Sequence, residues 1–262
     1  MMRAMWSAAA GMNVQTMNMD AISNNLANIN TAGFKSGRAE FQDLLYQTIN
    51  TAGSSTSTTT TQPTSLQLGH GARLSAMVKD YSTGSLQQTN SPLDMAIQGE
   101  GFFRVLQTDG TFAYTRDGSF TVDQNGNLVN SSGNTLDPQI TIPQDATTVT
   151  IAADGTVTVT QPGQTTPQQV GQITLSHFIN PNGLNSVGHN LMQPTLASGD
   201  PIDGVPGQTG LGTIQQSSLE GSNVDMASEM VNMIVGQRAY EANSKTIQTC
   251  DQMLQLVSNL KR

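Results

Sequence analysis

The chain has 262 residues, 36% of them hydrophobic and 11% charged, against roughly 45–50% and about 25% in an average domain, so one or two modest domains fit better than a single large apolar core. A net charge of −8 opposes binding to phosphate backbones, and no apolar run approaches the roughly 20 residues that span a bilayer. The single cysteine, Cys250, excludes an intrachain disulfide and a thiolate-rich zinc site.

The first dozen residues imitate a secretory signal, with Arg3 ahead of an alanine-rich stretch, but the apolar spacing continues without a break. Met5, Met12, Met19 and Leu26 lie seven apart, with Ala8, Gln15, Ile22 and Ile29 three residues after each. That spacing predicts one amphipathic helix, closed at Thr31-Ala32-Gly33, where glycine takes a left-handed cap conformation. The chain is therefore expected to be cytoplasmic or exported without cleavage. Residues 50–62 read NTAGSSTSTTTTQ, a flexible linker by composition, or an extended arm once another subunit supplies a surface.

From Phe102 the period changes to alternation. Asp109-Gly110, Asp117-Gly118 and Asn125-Gly126 recur every eight residues, with Ser132-Gly133 close to the next beat. Strands are predicted at Phe102–Leu106, Phe112–Thr115 and Phe120–Val122, joined as a β-meander by type I′ turns. Residues 149–151, 157–159 and 173–178 extend the sheet around Asp154-Gly155, and 180–212, rich in Gly, Pro and Asn, read as long loops.

The C-terminal segment returns to a spacing of seven: Met226, Met233, Tyr240, Ile247 and Leu254, beside a polar row of Met230, Gln237, Ser244, Asp251 and Ser258. Asn223 or Asp225 can cap this second helix. Ten of the 13 methionines lie in the terminal segments, suited either to an intramolecular helical core or to packing between subunits. The fold class expected is mainly β, a central β-domain flanked by terminal helices that pair as a coiled coil. Its domains are 1–35 with 220–262 (helical), 36–75 (connector) and 76–219 (β).

No chemistry-bearing motif accompanies this architecture. His70, His177 and His189 are scattered, Gly99-Glu100-Gly101 lacks the third glycine of a dinucleotide loop, and Asp123, Asn125 and Asn127 precede Leu128 where a calcium loop needs glycine. Asp109, Asp117 and Asp123 already serve turns. The expectation is no catalytic residue, no metal and no cofactor, with a secreted β-rich scaffold or adhesin and a hydrolase using turn carboxylates as the other classes.

Asn24-Asn25-Leu26-Ala27-Asn28 running into Thr31-Ala32-Gly33-Phe34-Lys35 resembles the N-terminal signature of bacterial flagellar rod and hook proteins. Ser222-Asn223-Val224-Asp225, Glu229-Met230 and the string from Gln237-Arg238-Ala239-Tyr240 to Asn243 resemble the C-terminal one. Ile97-Gln98-Gly99-Glu100-Gly101-Phe102-Phe103 and Tyr114-Thr115-Arg116-Asp117-Gly118-Ser119-Phe120 are similar to the family's β-domain motifs. In length and in the string from Asp43 to Ile49 the chain most resembles the rod members of the family, of the distal rod before the proximal, and not the longer hook protein.

The resemblance implies a helical homo-oligomeric tube that transmits torque, with terminal helices inside and the β-domain outside. Its assembly residues would be Met5, Met12, Met19, Ile22, Leu26, Asn28, Gly33, Phe34, Met226, Met233, Arg238, Tyr240, Ile247 and Leu254. Tyr46, Gln47, Thr48 and Ile49 through Pro63 would form an arm that stiffens the rod. The partners implied are proximal rod proteins, the hook protein, the surrounding P- and L-ring proteins and the flagellar type III export apparatus. The location implied is the basal body, in a rod crossing the periplasm after export without a cleavable signal, with no nucleic acid bound and no membrane embedding.

Overall fold

The structure is a computed structural model and describes residues 2–52, 63–163, 166–208 and 210–259. In chain order, α1 (Met2–Ala27) leads to β1 (Gly37–Asp43), β2 (Tyr46–Asn50), β3 (Leu66–Gly69) and β4 (Ala72–Lys79). Sixteen short strands follow: β5 (Leu86–Gln88), β6 (Met95–Gln98), β7 (Phe102–Leu106), β8 (Phe112–Thr115), β9 (Phe120–Val122), β10 (Leu128–Asn130), β11 (Thr135–Asp137), β12 (Thr148–Ile151), β13 (Thr156–Thr160), β14 (Gln168–Gln172), β15 (Leu175–His177), β16 (Asn185–Gly188), β17 (Leu191–Gln193), β18 (Ile202–Gly204), β19 (Thr213–Gln216) and β20 (Ser218–Glu220). The described chain ends in α2 (Met226–Asn259). The architecture is mainly β with a helix toward each end.

The chain divides into two compact units. One comprises Met1–Leu26, Gly37–Val78 and Asp225–Arg262; the other Ala27–Ser36 and Lys79–Val224. In the first, α1 and α2 accompany two ribbons, β1 paired with β4 and β2 with β3. In the second, a sheet of order β16-β17-β8-β7-β11-β10-β9 is joined by β15 and β18, and β12-β13-β14 form a further sheet.

Strand alternation divides the core of the β unit. Phe103 and Val105 point into a cluster with Ile97, Phe120, Leu128 and Leu136, where the Phe103 and Phe120 rings meet edge to face at 5.4 Å. Their neighbour Phe102 points the other way, into a second cluster with Tyr114, Phe178, Leu184 and Met192. Burial on both faces is confined to the start of β7, at Phe102 and Phe103; farther on, the face that Phe102 shares carries Arg104, half-buried and paired with Asp137, and the exposed Leu106.

Four hairpins share one turn, which differs from the type I′ expected. Gln107 N–H donates to Thr111 O while Gly110 N–H donates to Gln107 O, both at 2.9 Å, and the pattern recurs at 123–127, 130–134 and 152–156. These are three-residue loops in which the glycine alone has positive φ, at +77° to +85°. An Asx-Gly pair serves three of them and Ser132-Gly133 the fourth, because glycine is needed only at the third position. Asp117-Gly118 makes no hairpin: β8 pairs with β7 and β17, β9 pairs with β10, and Asp117 Oδ1 accepts from Ser119 N in a local bend.

Residues 180–212 contain β16, β17 and β18, not only loops. The β16–β17 hairpin turns on His189 and Asn190, with φ of 53° and 59°, a two-residue turn without glycine at either position. Helix α1 ends at Ala27, before the expected closure. Gly33 has the left-handed φ of 67° but lies in a following turn, its N–H donating 2.7 Å to Glu220 O and not to the helix. Most of the threonine-rich segment, 53–62, falls outside the described residues; its flanks pair as β2 and β3, Tyr46 opposite Gly69 and Thr48 opposite Gln67.

Candidate functional site

The first candidate surface is the pair of terminal helices. Gly11 faces Asn243, Gly236 faces Met19 and Gln15, and Asn25 Nδ2 donates to Glu229 Oε1 at 3.1 Å. Rising numbers on α1 meet falling numbers on α2, so the helices run antiparallel. On α1, Met5, Met12, Met19 and Leu26 are half-buried and Ala8 and Ile22 buried. On α2, Met233, Ile247 and Leu254 are half-buried, whereas Met226 and Tyr240 are exposed.

The neighbouring inward row is not the expected one, since Met230, Gln237 and Asp251 are exposed. It is Glu229, Gly236, Asn243 and Cys250, again seven apart, and too small and polar for hydrophobic periodicity to reveal. Glycine lets the backbones approach: a Cβ at Gly11 would stand 2.8 Å from Asn243 Nδ2. Asn25 is a further residue that periodicity missed. It is buried, accepting from Gly37 N and donating to Gly37 O, both at 2.9 Å, as well as to Glu229.

A second apolar stripe of α2 faces solvent. Met226, Met230, Val231, Ile234 and Val235 are each more than half exposed, and on α1 Trp6 is 73% exposed. Arg238 is also exposed and pairs with Glu241 at 3.3 Å. Exposed apolar stripes are candidate interaction surfaces. The β2–β3 ribbon is similar: Leu45, Tyr46, Ile49, Leu66 and Leu68 are all exposed, with Gln47, Thr48 and Pro63. The hydroxyl of Tyr46 is held above its ordinary pKa by the Asp43 carboxylate beside it.

Within the β unit the quoted motifs converge on one carboxylate. Glu220 Oε1 accepts from Lys35 Nζ at 2.6 Å and from Gly84 N at 3.0 Å, while Oε2 accepts from Arg116 Nη1 at 3.2 Å. Lys35 also donates to Ser82 O at 2.6 Å, and Arg116 Nη2 to Gly99 O at 2.7 Å. All three charged side chains are buried, and the Arg116 guanidinium lies 5.4 Å from the Phe102 ring centroid. Burial pulls Lys35 and Arg116 below their ordinary pKa values, opposed by the Glu220 charge.

Gly33 belongs to this cluster, since a Cβ there would stand 2.7 Å from the Arg116 carbonyl carbon and Asp117 N. Phe34 beside it is half-buried, and Asn28 Oδ1 accepts from Thr31 Oγ1 at 3.2 Å. Sequence periodicity could not find Lys35, Arg116 and Glu220 as a set, because they are at least 81 residues apart and only the fold brings them together. Among the described residues no group of three or more His, Cys, Asp or Glu side chains could hold a metal ion, and no helix there is long and apolar enough to cross a membrane.

Three family models match the chain. Residues 5–35 match a family model described as flagella basal body rod protein. Residues 96–159 match the flagellar hook protein FlgE/F/G D1 domain, and 215–260 the flagellar basal body rod FlgEFG protein C-terminal model. The flagellar basal-body rod protein FlgG of Borreliella burgdorferi is 50% identical over 264 residues, covering 100% of both chains. FlgG of Buchnera aphidicola subsp. Schizaphis graminum is 52% identical over 99% of this chain and 100% of its own. The flagellar hook-basal body complex protein FlhP of Bacillus subtilis is only 31% identical, over 100% of both chains. Sharing about half its residues with FlgG proteins along their whole length, the chain belongs to the FlgG family of flagellar basal-body rod proteins, a structural family and not one of enzymes.

Proposed function

We propose that the chain is a structural subunit of the flagellar distal rod, assembling with its own copies into a rigid helical tube that carries torque to the hook. The observation that carries the assembly is the outward stripe of α2, where five apolar side chains from Met226 to Val235 lie open beside a seam already filled by α1. A helix apolar on two sides needs two partners. In this reading the terminal helices pair as a coiled coil within the inner layer, the β unit forms the outer layer, and repeated head-to-tail contact builds an open helix.

Charge is segregated accordingly. The helical unit holds seven acidic and seven basic residues, net zero, whereas the β unit holds twelve and four, net −8. Surfaces meant to pack against copies of themselves are thus free of net repulsion. The assembly residues proposed are those of the two seams, with Asn28, Gly33 and Phe34 at the exit of α1, and the ribbon carrying Tyr46, Gln47, Thr48 and Ile49 stiffens the tube. Partners at its ends are proximal rod and hook proteins, the P- and L-ring proteins surround it where it crosses the periplasm, and export is by the flagellar type III apparatus without a cleaved signal. The family assignment disfavours a scaffold or adhesin and a hydrolase.

Electron microscopy of the concentrated protein tests the proposal. The parent chain should form straight tubes, and the double variant Val231→Asp, Ile234→Asp should remain monomeric with an unchanged melting of the β unit. A parent chain that stays monomeric at every concentration would refute it.

A further inference from the structure

The chain passes between its two units at residues 26/27, 36/37, 78/79 and 224/225. Ser36, Asp80 and Asn223, all within the β unit, stand next to three of those passages. Asp80 N–H donates to Ser36 O at 2.9 Å, joining the first two. The third is brought in by a side chain: Asn223 Oδ1 accepts from Ser36 N at 2.8 Å, and its Nδ2 donates to Asp80 O at 2.9 Å and to Ser82 Oγ at 3.1 Å. Ser36, Asn223 and Asp80 thereby form a closed ring of hydrogen bonds. The Asp80 carboxylate holds the loop by accepting from Ser82 N at 2.9 Å.

A carboxamide suits this place because it offers an acceptor and a donor in one rigid plane, as a peptide group does. Aspartate offers acceptors only, serine a single arm. Asn223 is also not the cap of α2. That work falls to Asp225, whose Oδ2 accepts from Ser228 Oγ at 2.6 Å and from Ser228 N at 3.3 Å. In a ring, opening one member leaves unmatched donors or acceptors on the other two, so the members resist separate opening.

We propose that Asn223 is a positioning residue that ties three chain passages into one joint, so that they open together and not as independent loops. The proposal goes beyond the rod assignment and stands whether or not tubes form.

Amide hydrogen exchange on the full chain tests it, with Asn223→Ala and Asn223→Asp compared with the parent. In Asn223→Ala the Ser36 amide loses its acceptor and should exchange about tenfold faster or more. The Asp80 amide keeps its acceptor, Ser36 O, yet should accelerate in parallel, while core amides such as Val105 and Leu136 hold their rates. In Asn223→Asp the acceptor for Ser36 survives and the donor to Asp80 O is lost. Faster exchange at Ser36 there reports the coupling directly, and serves if the alanine variant does not fold. A Ser36 amide unmoved in both variants, an Asp80 amide unmoved in Asn223→Ala, or equal acceleration of core and joint amides overturns the proposal.

Discussion

Lys35 Nζ stands 2.6 Å from Glu220 Oε1, joining positions 185 residues apart with both side chains sealed from water. Arg116 shares the same carboxylate, so two buried cations depend on one anion. Removing the anion should therefore be the costliest single change. Glu220→Ala strands both cations and is expected to destabilise the β unit by about 3–5 kcal/mol. Lys35→Met leaves Arg116 and Glu220 matched one to one and should cost clearly less. Urea unfolding monitored on the β unit decides the order, and a larger loss in Lys35→Met would contradict this account.

Gly33 and Gly110 share a left-handed backbone, with φ of 67° and 77°, but not their surroundings. A Cβ at Gly110 meets nothing within 4 Å, whereas one at Gly33 runs into the backbone of Arg116 and Asp117. Gly110→Ala should thus cost only the conformational preference, about 1 kcal/mol. Gly33→Ala adds a clash that no rotamer relieves and should cost at least twice as much. Because Gly33 is bound inside the β unit, the loss should appear in thermal unfolding of that unit as well as in assembly. Equal melting temperatures for the two variants would show the contact at Gly33 to be slack.

How far the sequence carried depended on the range of the interaction. Strands β7, β8 and β9 were legible to the residue because alternation and Asx-Gly turns are local signals. The turn type was not, since Asx-Gly suits both two-residue and three-residue loops. Strands β16 to β18 hid among residues read as loop formers, because pairing with β8 and β15 overrides weak local propensity. On α2, Met233, Ile247 and Leu254 stand out by hydropathy, but Gly236 and Asn243 contact α1 by being small or polar. The ion cluster around Glu220 leaves no periodic trace. The motifs quoted around Gly33, Gly99 and Arg116 were visible as strings, and only their convergence explains why those residue types occur together.

Tyr81 is expected to contribute to an alkaline limit on the β unit. Burial pushes its hydroxyl up to about 12 from an ordinary 10.0. The folded form therefore favours the neutral ring. The associated stability is complete below pH 10 and is lost as pH rises from 10 through about 12. Tyr81 OH contacts Met192 Sδ at 3.6 Å, and its ring meets Phe102 edge to face at 5.7 Å. Tyr81→Phe keeps the ring contact, so it should cost less than about 1 kcal/mol at neutral pH and raise the midpoint of alkaline unfolding. Tyrosinate absorbance followed against pH, beside circular dichroism, checks both; an unchanged alkaline midpoint in the variant would assign the limit to another group.

The two seam glycines should respond differently to added side chains. A Cβ at Gly236 would lie 3.3 Å from Met19 Cγ, the middle of a flexible chain that can move, and alanine favours helix over glycine by up to about 1 kcal/mol. Gly236→Ala is expected to leave the pair intact or to strengthen it slightly. At Gly11 a Cβ already stands 2.8 Å from Asn243 Nδ2, and a branched side chain there has to displace Asn243 or part the helices. Gly11→Leu should therefore lower helical circular dichroism and abolish tube formation, with the melting of the β unit unchanged. Combining it with Asn243→Ala removes the obstructing carboxamide and should restore part of the helix signal. Sedimentation and circular dichroism of the four proteins separate these outcomes, and a Gly11→Leu chain that assembles like the parent would mean that the close approach of α1 and α2 at this layer is not needed for the tube.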